Sequence, residues 1–297
     1  MNQQITGTFV AIVTPFDERE EINEAALQRQ VRRQAEAGNG VFCAGTNGEF
    51  YALSFAEKVR VAGLCVEAAA GQMPVLAHIG EISTHQTIAL GREIDRLDVR
   101  AVSAITPSFI ACSQDELIAH YHRIADAIAK PLYLYNIPAR TGNTITPETA
   151  RTLAAHPNIV GIKDSAGSQE SLDGFLAVAR ERDDFEVLVG PDSLVLHGLR
   201  HGAAGSISGL GNVSPQTLQA IYREHRAGHD EAAATHQTRY SALRQALYAH
   251  GFPPTLVKCA LRSVMPEVGR SRGPALLSAE VEAAVREIAL QYAEAWR

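Results

Sequence analysis

The stretch Asn158-Ile-Val-Gly-Ile-Lys163-Asp-Ser-Ala-Gly167 decides which fold this chain adopts. Residues 159 to 162 form an apolar run of strand length, which ends in a lysine and is followed by residues that favour a loop. Such a run, closed by turn residues, is typical of a strand that is buried on both faces of a parallel sheet. The stretch therefore predicts a parallel sheet, with Lys163 at the carboxyl end of one of its strands.

The position of Lys163 indicates a chemical role. Burial disfavours the ammonium form of a lysine and leaves more of the neutral amine, which can attack a carbonyl carbon. Lysine is also scarce in this chain, where arginine supplies most of the positive charge. A lysine at the end of a strand can equally extend its amine to water. The stretch alone does not decide between these two interpretations.

The same strand pattern recurs along the chain and alternates with helical periodicity. Eight strand–helix units with short loops fall within residues 1–228, which matches the repeat number and length of an α/β fold, the (β/α)8 TIM barrel. A doubly wound open sheet is the competing fold, but no glycine-rich dinucleotide-binding motif follows the first strand. The predicted strands are residues 8–13, 40–44, 74–79, 101–105, 132–135, 159–162, 185–189 and 203–208.

The rest of the chain lacks a strand pattern. Residues 229–297 predict about three helices, which are separated at Pro253-Pro254 and by the region from Pro266 to Pro274. We therefore expect a barrel over residues 1–228 that carries the active site. A C-terminal helical extension over residues 229–297 is expected to pack on the barrel or to build an oligomer contact.

The composition is that of a globular protein of 297 residues, 46% hydrophobic and 20% charged. A formal net charge of −6 without a basic block argues against a nucleic-acid partner and against an anionic membrane surface. The N-terminus lacks the features of a signal peptide, and no apolar run is long enough to span a bilayer. The four cysteines form no metal-type pair, so we expect reduced thiols, no metal site and a cytoplasmic protein.

In a barrel of this kind the reacting groups lie on the loops that follow the strands. The loop after the second predicted strand, Gly45-Thr46-Asn47-Gly48-Glu49, combines glycines with small hydroxyl and amide side chains. Its backbone N–H groups can hold a carboxylate or an oxyanion. Strings of this composition also form ordinary turns, so the loop is not specific by itself.

The fifth predicted strand ends in Tyr135, at the same barrel face as Lys163, where its hydroxyl could transfer protons. The alternative is a core tyrosine whose hydroxyl is already hydrogen-bonded. Arg140, on the following loop, has a planar guanidinium that can form two hydrogen bonds to a second carboxylate. The alternative is an ordinary surface arginine. Three separate strands thus direct an anion-binding loop, a phenol and an amine to one opening. This convergence is more specific than any single motif.

Three segments resemble the signature segments of the dihydrodipicolinate synthase / N-acetylneuraminate lyase family. They are Gly45-Thr-Asn-Gly-Glu49, Tyr135-Asn-Ile-Pro-Ala-Arg-Thr-Gly142 and Gly161-Ile-Lys-Asp164, and their order and spacing agree with the family over essentially the whole chain. The resemblance implies a (β/α)8 barrel with a C-terminal helical extension and a class I aldolase that works through a Schiff base with pyruvate. It also implies a homotetramer, built as a dimer of dimers, without a metal or a cofactor.

The resemblance also implies a role for each matching residue. Lys163 forms the imine with the keto carbon of pyruvate. Tyr135 transfers protons, with Thr46 as a further catalytic member of the proton relay. Thr46 and Asn47 hold the pyruvate carboxylate through their side chains and backbone amides. The remaining substrate-binding positions are Ile207, through its backbone carbonyl, and Gly190.

Several positions depart from the synthase members of that family. Phe109 stands where synthases carry a tyrosine that reaches into the proton relay of a neighbouring subunit, and phenylalanine cannot carry a proton. Asn47 replaces the usual second threonine of the carboxylate loop. Ile82 and Gln86 stand where lysine-inhibited members keep an asparagine and a glutamate, so feedback inhibition by lysine is not expected. Arg140, in contrast, resembles the arginine that binds the carboxylate of the synthases' aldehyde substrate.

These features favour a catabolic pyruvate-dependent aldolase that makes or cleaves a carbon–carbon bond between pyruvate and an aldehyde. Its substrate is expected to be a 2-keto-3-deoxy or a 4-hydroxy-2-oxo acid, and Arg140 favours one with a second carboxylate. A 4-hydroxy-tetrahydrodipicolinate synthase, which condenses pyruvate with aspartate semialdehyde, is the first alternative. A 2-keto-3-deoxy acid dehydratase is another, since the same lysine would serve to eliminate water. A non-catalytic barrel that binds a keto acid is the last.

Overall fold

Eight parallel strands form the framework of the protein. In the computed structural model, which describes residues 5 to 294, they close into a barrel in the order β1 to β8. The predicted (β/α)8 TIM barrel is therefore confirmed. The strands are β1 (Gly7–Ala11), β2 (Gly40–Cys43), β3 (Val75–His78), β4 (Ala101–Ile105), β5 (Leu132–Asn136), β6 (Ile159–Asp164), β7 (Glu186–Val189) and β8 (Gly205–Ser208).

Each strand is followed along the chain by at least one helix, as the alternating periodicity predicts. The second long helix begins with a capping box, in which the Ser54 hydroxyl accepts from the Glu57 N–H and the Glu57 carboxylate accepts from the Ser54 N–H. The helices between the strands and after β8 are α1 (Glu24–Glu36), α2 (Phe55–Ala69), α3 (Thr84–Ile94), α4 (Gln114–Ala127), α5 (Pro138–Thr141), α6 (Pro147–Leu153), α7 (Gln169–Arg180), α8 (Val195–Arg200) and α9 (Pro215–Arg226).

Between residue 229 and residue 294 three further helices follow, in agreement with the prediction: α10 (Asp230–Tyr248), α11 (Pro253–Arg262) and α12 (Ala279–Tyr292). Helix α11 begins at the predicted break because proline has no N–H to leave unpaired and its fixed φ suits the first helical turn. The domain boundary at residue 228 stays a prediction. Across residues 5 to 294, no helix has both the length and the apolar character that crossing a bilayer requires.

By its internal contacts the chain divides into two compact units. The first comprises Leu76–Ile207 together with residues 5 to 7, and it contains the predicted site residues Lys163, Tyr135, Arg140, Gly190 and Ile207. The second comprises Thr8–Val75 together with residues 208 to 294, and it contains Thr46 and Asn47.

Two local features beside the candidate site differ from the prediction. Residues 138 to 141 form the short helix α5 where a loop was expected, because Pro138 supplies the φ of a first helical turn and Gly142, at φ 77°, ends it. Asp164 belongs to β6 rather than to the following loop, since strand pairing continues to Asn136 on one side and to Val189 on the other.

Candidate active site

The pairing of β5 with β6 brings the predicted amine and phenol together. The register aligns Tyr135 with Lys163. Paired residues on neighbouring strands, which lie about 4.8 Å apart, point to the same side of a sheet, so the two side chains are neighbours. The Lys163 Nζ atom lies 4.0 Å from the centroid of the Tyr135 ring. Both residues are buried, with exposed fractions of 3% and 2%.

A buried hydrogen-bond cluster ties the carboxyl ends of these two strands together. Asn136 Nδ2 donates to Asp164 Oδ1 at 2.8 Å, and the Ala166 N–H and the Ser171 hydroxyl donate to the same oxygen at 3.2 Å. Burial raises the pKa of Asp164, and these three hydrogen bonds oppose the rise. The cluster holds the backbone on the C-terminal side of Lys163, so it limits where the amine can lie.

We expect Asp164→Ala to destabilise the fold by about 1–3 kcal/mol, because it leaves the buried Asn136 amide and the Ala166 N–H without an acceptor. The free energy of unfolding, measured by urea denaturation, checks this. Ser171→Ala is the matched control: it removes one donor from the periphery of the cluster and should cost no more than about 1 kcal/mol. Equal losses for the two variants would contradict the central place of Asp164.

Gly190 lies against the end of β6. Its N–H donates to the Asp164 carbonyl at 2.7 Å. A Cβ at position 190 would come within 2.0 Å of the Ser165 hydroxyl oxygen and 2.5 Å of the Asp164 carbonyl oxygen, so only glycine fits. The structure thus places Gly190 beside the backbone that follows Lys163. Contact between Gly190 and a substrate stays a prediction.

His78 is a residue of this site that the sequence did not single out. It ends β3, is 2% exposed and packs edge-to-face on Tyr135, with ring centroids 6.0 Å apart and an interplanar angle of 85°. The contact restricts the tilt of the phenol ring. The available signal was a histidine within the otherwise apolar run of residues 74–79.

The other two predicted residues of the first unit differ in exposure. Arg140 is exposed on α5, directly after β5, where its guanidinium can meet a ligand that enters from solvent. Ile207 is buried in β8 with 1% of its surface exposed. The role of its carbonyl in substrate binding stays a prediction.

The loop between β4 and α4 carries Phe109 at its surface. Phe109 is 96% exposed and has a φ of 73°, in the left-handed region, so its ring is not packed inside its own chain. Nearby, the hydroxyl groups of Thr106 and Thr141 are hydrogen-bonded at 2.7 Å. This buried hydroxyl pair is a second feature that the sequence did not reveal, because threonine is common in ordinary turns.

The predicted anion-binding loop lies in the second unit, directly after β2. It is a compact turn, since a Cβ on Gly48 would come within 3.1 Å of the Ala44 nitrogen. The Asn47 amide packs on Gly209, where a Cβ would come within 2.8 Å of Nδ2. Asn47 Oδ1 is buried and has no hydrogen-bond partner within the described chain, so it can receive a hydrogen bond from a ligand.

The first unit therefore holds the elements of imine chemistry. A buried primary amine can attack a carbonyl carbon, and a phenol positioned beside it can give and take protons. The structure brings Lys163, Tyr135 and His78 into one cluster, with Gly190 beside it. Within residues 5 to 294, no three His, Cys, Asp or Glu side chains are grouped so as to hold a metal ion.

Known proteins resemble this chain over most of its length. The sequence matches the dihydrodipicolinate synthetase family over residues 4–291. It is 37% identical over 248 residues to a 4-hydroxy-tetrahydrodipicolinate synthase of Hyphomonas neptunium, covering 83% of this chain and 84% of that protein. It is 33% identical over 242 residues to an uncharacterised DapA-like lyase of Halobacterium salinarum, covering 81% and 79% of the two chains.

Solved structures extend the similarity to the whole fold. The chain superposes with a TM-score of 0.92 on YagE from Escherichia coli K12, a prophage protein of the dihydrodipicolinic acid synthase family that was crystallised with pyruvate. The superposition covers 97% of this chain and 98% of YagE at 26% sequence identity. Barrel and C-terminal helices alike are therefore shared with that protein.

Proposed function

The chain belongs to the dihydrodipicolinate synthetase family and is a pyruvate-dependent lyase of that family, and on that premise we propose that it is a class I aldolase acting through Lys163. The proposed reaction makes or cleaves a carbon–carbon bond between pyruvate and an aldehyde. The observation that carries the proposal is the buried Lys163 amine, 4.0 Å from the centroid of the Tyr135 ring.

The proposed chemistry starts with imine formation. The Lys163 nitrogen attacks the keto carbon of the 2-oxo acid, and a proton moves from nitrogen to the former carbonyl oxygen to give a carbinolamine. Protonation of the carbinolamine hydroxyl and loss of water then leave an iminium ion. In the cleavage direction, the hydroxyl at C4 loses its proton, the C3–C4 bond breaks, and its electron pair moves toward the iminium to give an enamine and an aldehyde. Protonation and hydrolysis release pyruvate and restore the amine.

We assign the proton transfers to Tyr135, whose ring lies over the amine and is held by His78. Thr46 is proposed as a further member of the proton relay. Thr46 and Asn47 are proposed to hold the pyruvate carboxylate through the backbone N–H groups of this loop and their own side-chain donors. The carbonyl of Ile207 and the main chain of Gly190 are proposed to complete the lining. Since the electron sink is the imine itself, the reaction needs no further cofactor.

The favoured substrate is a 2-keto-3-deoxy or 4-hydroxy-2-oxo acid that bears a second carboxylate. Phe109 supports catabolic cleavage over the synthase reaction, because the relay lacks a phenol at this position. A 4-hydroxy-tetrahydrodipicolinate synthase is the second candidate, which the 37% identity to the Hyphomonas protein supports. Dehydration of a 2-keto-3-deoxy acid through the same imine is the third candidate.

Two assays test these assignments. Borohydride reduction in the presence of pyruvate should attach a reduced pyruvyl group to the protein, and mass spectrometry of peptides should locate it on Lys163. A protein that only binds the keto acid would give no adduct. Pyruvate release or consumption is then followed with 2-keto-3-deoxygluconate, 4-hydroxy-2-oxoglutarate and aspartate semialdehyde. Turnover only with pyruvate plus aspartate semialdehyde would replace the aldolase by the synthase.

Arg140→Ala should reduce kcat/KM mainly for substrates with a distal carboxylate, by about 10- to 100-fold, because a charge-assisted bidentate hydrogen bond is lost. The comparison is between 4-hydroxy-2-oxoglutarate, which has a second carboxylate, and a 2-keto-3-deoxy sugar acid of similar length without one. Arg123→Ala, on the exposed face of α4, is the control for removing a surface charge. A uniform loss across both substrates would give Arg140 a structural role instead.

We further propose a homotetramer, a dimer of dimers, that acts in the cytoplasm. The support is the resemblance of the three signature segments to the family. Sedimentation-equilibrium measurement of the full chain tests the assembly, since the tetramer has four times the 32.0 kDa mass of one chain.

A further inference from the structure

A buried ion pair within the second unit has no part in the proposed reaction. Lys258 Nζ, on α11, donates to Glu49 Oε1 at 2.7 Å, and both side chains are 1% exposed or less. The other carboxylate oxygen of Glu49 accepts a hydrogen bond from the backbone N–H of Arg272 at 3.0 Å. One carboxylate thus joins the loop after β2 to α11 and to the segment that precedes α12.

Aromatic and charged groups enclose this pair. The Phe16 ring lies 4.0 Å from Lys258 Nζ and 4.2 Å from the Arg272 guanidinium carbon. Arg272 in turn donates to the Ala52 carbonyl at 2.8 Å and to Glu57 Oε1 at 2.6 Å. Burying charges in this way adds little net stability, because an apolar pair of similar volume is often at least as stable. The contacts of this pair connect three segments of the chain, the loop after β2, α11 and the segment that precedes α12.

The loop after β2 carries Thr46 and Asn47. Glu49 is the last residue of the Gly45-to-Glu49 segment, and its N–H donates to the Thr46 carbonyl at 3.2 Å. The carbonyl of Gly48, the residue before Glu49, accepts from the Thr14 hydroxyl at 2.7 Å. Glu49 has a φ of 57°, in the left-handed region, which a non-glycine residue adopts only when its surroundings hold it there.

We propose that Glu49 and Lys258 are positioning residues whose buried ion pair fixes the loop that presents Thr46 and Asn47 to the carboxylate of the 2-oxo acid. This inference rests on the proposed function, since only that function gives the loop a carboxylate to bind. The pair touches no reacting atom. Loss of the pair should weaken the binding of pyruvate, and should therefore raise KM without lowering kcat.

The ionisation of Lys258 gives the loop a dependence on pH. Burial lowers the pKa of Lys258 from 10.5 to about 8, Glu49 opposes the shift, and Arg272 adds to it. Above about pH 8 the amine loses its proton and Glu49 loses its charged partner, so the KM for pyruvate should rise. Between about pH 8 and 10.5 the unfolded chain holds this proton and the folded chain does not. The contribution of Lys258 to stability therefore increases with pH over this interval, opposite in direction to pyruvate binding.

The test is a double-mutant cycle of Lys258→Met and Glu49→Gln on the full-length enzyme. Each single variant should raise the KM for pyruvate by about 10- to 100-fold, since small displacements of a binding group have effects of this size, and should leave kcat within about 3-fold. The double variant should raise KM no further than the worse single variant, because all three lack the same interaction. Arg262→Met is the control. Arg262 lies on α11, like Lys258, and forms a part-buried ion pair with Glu282 of α12, so its replacement should leave KM unchanged.

Two further measurements keep the outcomes separate. Hydrogen exchange of residues 45 to 53 should become faster in Lys258→Met than in the wild type, and it needs no pyruvate. In wild-type enzyme, a KM that rises above pH 8 should accompany an unchanged protection of the core strands. Folded single variants with wild-type KM and exchange, or effects that multiply in the double variant, would overturn the inference. If the wild type forms no borohydride-trapped adduct, the proposed function fails instead. Faster exchange of residues 45 to 53 in Lys258→Met would still show that the ion pair holds this loop.

Discussion

Replacing Lys163 by methionine is expected to abolish both the pyruvate adduct and turnover. Methionine has a similar length and is apolar, so the substitution removes the amine without opening a large cavity in the barrel. Without a nucleophile there is no imine, and the reaction loses its electron sink. Removal of a covalent nucleophile reduces kcat by about 10⁴-fold or more in enzymes whose other groups stay in place. This is the largest effect predicted for any single residue of the chain.

The measurement is mass spectrometry of the intact chain and of its peptides after borohydride reduction with pyruvate, together with the pyruvate-release assay. Lys130→Met is the matched control: the same substitution at a lysine that follows α4 and is partly exposed. It should keep the adduct and the activity. An adduct that persists in Lys163→Met, or full activity without it, would assign the imine to another amine or exclude it.

Tyr135→Phe is expected to slow turnover by about 10²- to 10⁴-fold, the range for loss of a positioned acid–base group. Phenylalanine keeps the ring, so both the 4.0 Å approach of Lys163 Nζ and the edge-to-face contact with His78 can persist. Only the hydroxyl is removed. The KM for pyruvate should therefore change little, while kcat and the rate of imine formation both fall.

Tyr121→Phe is the control for the loss of a buried phenol. Tyr121 is a residue of α4, and its hydroxyl donates a hydrogen bond to the Ala104 carbonyl at 3.1 Å. Its removal should lower stability slightly, by about 1 kcal/mol, with normal kcat. Stopped-flow kinetics of imine formation and steady-state rates distinguish the two tyrosines. An unchanged rate in Tyr135→Phe would reduce that residue to a packing role.

Much of the site could be foreseen because the relevant signals are local in sequence. A short apolar run followed by turn residues predicts both the strand that ends in Lys163 and the strand that ends in Tyr135. In a parallel barrel, all such ends share one face, so the two residues could be assigned to the same opening before their register was known. The cap at Ser54 is equally local, since it depends on residues three positions apart.

Other features could not be foreseen because they join residues that are distant in the chain. Glu49 and Lys258 are separated by 209 positions, and nothing near either one identifies the other as its partner. His78 lies against Tyr135 only because two non-adjacent strands direct their side chains into one barrel interior. A one-residue shift of strand register would have turned either residue to the opposite face.

The amino-acid sequence by itself determined the alternation of strands and helices, hence the barrel, and the residue types at the ends of its strands. These depend on periodicity and on turn chemistry, which act over a few residues. Only the tertiary structure decided that Tyr135 pairs with Lys163, that Asp164 ties their strands together and that Lys258 holds Glu49. Such contacts follow from register and close packing, because burial leaves a side chain only the partners that the whole fold places within reach.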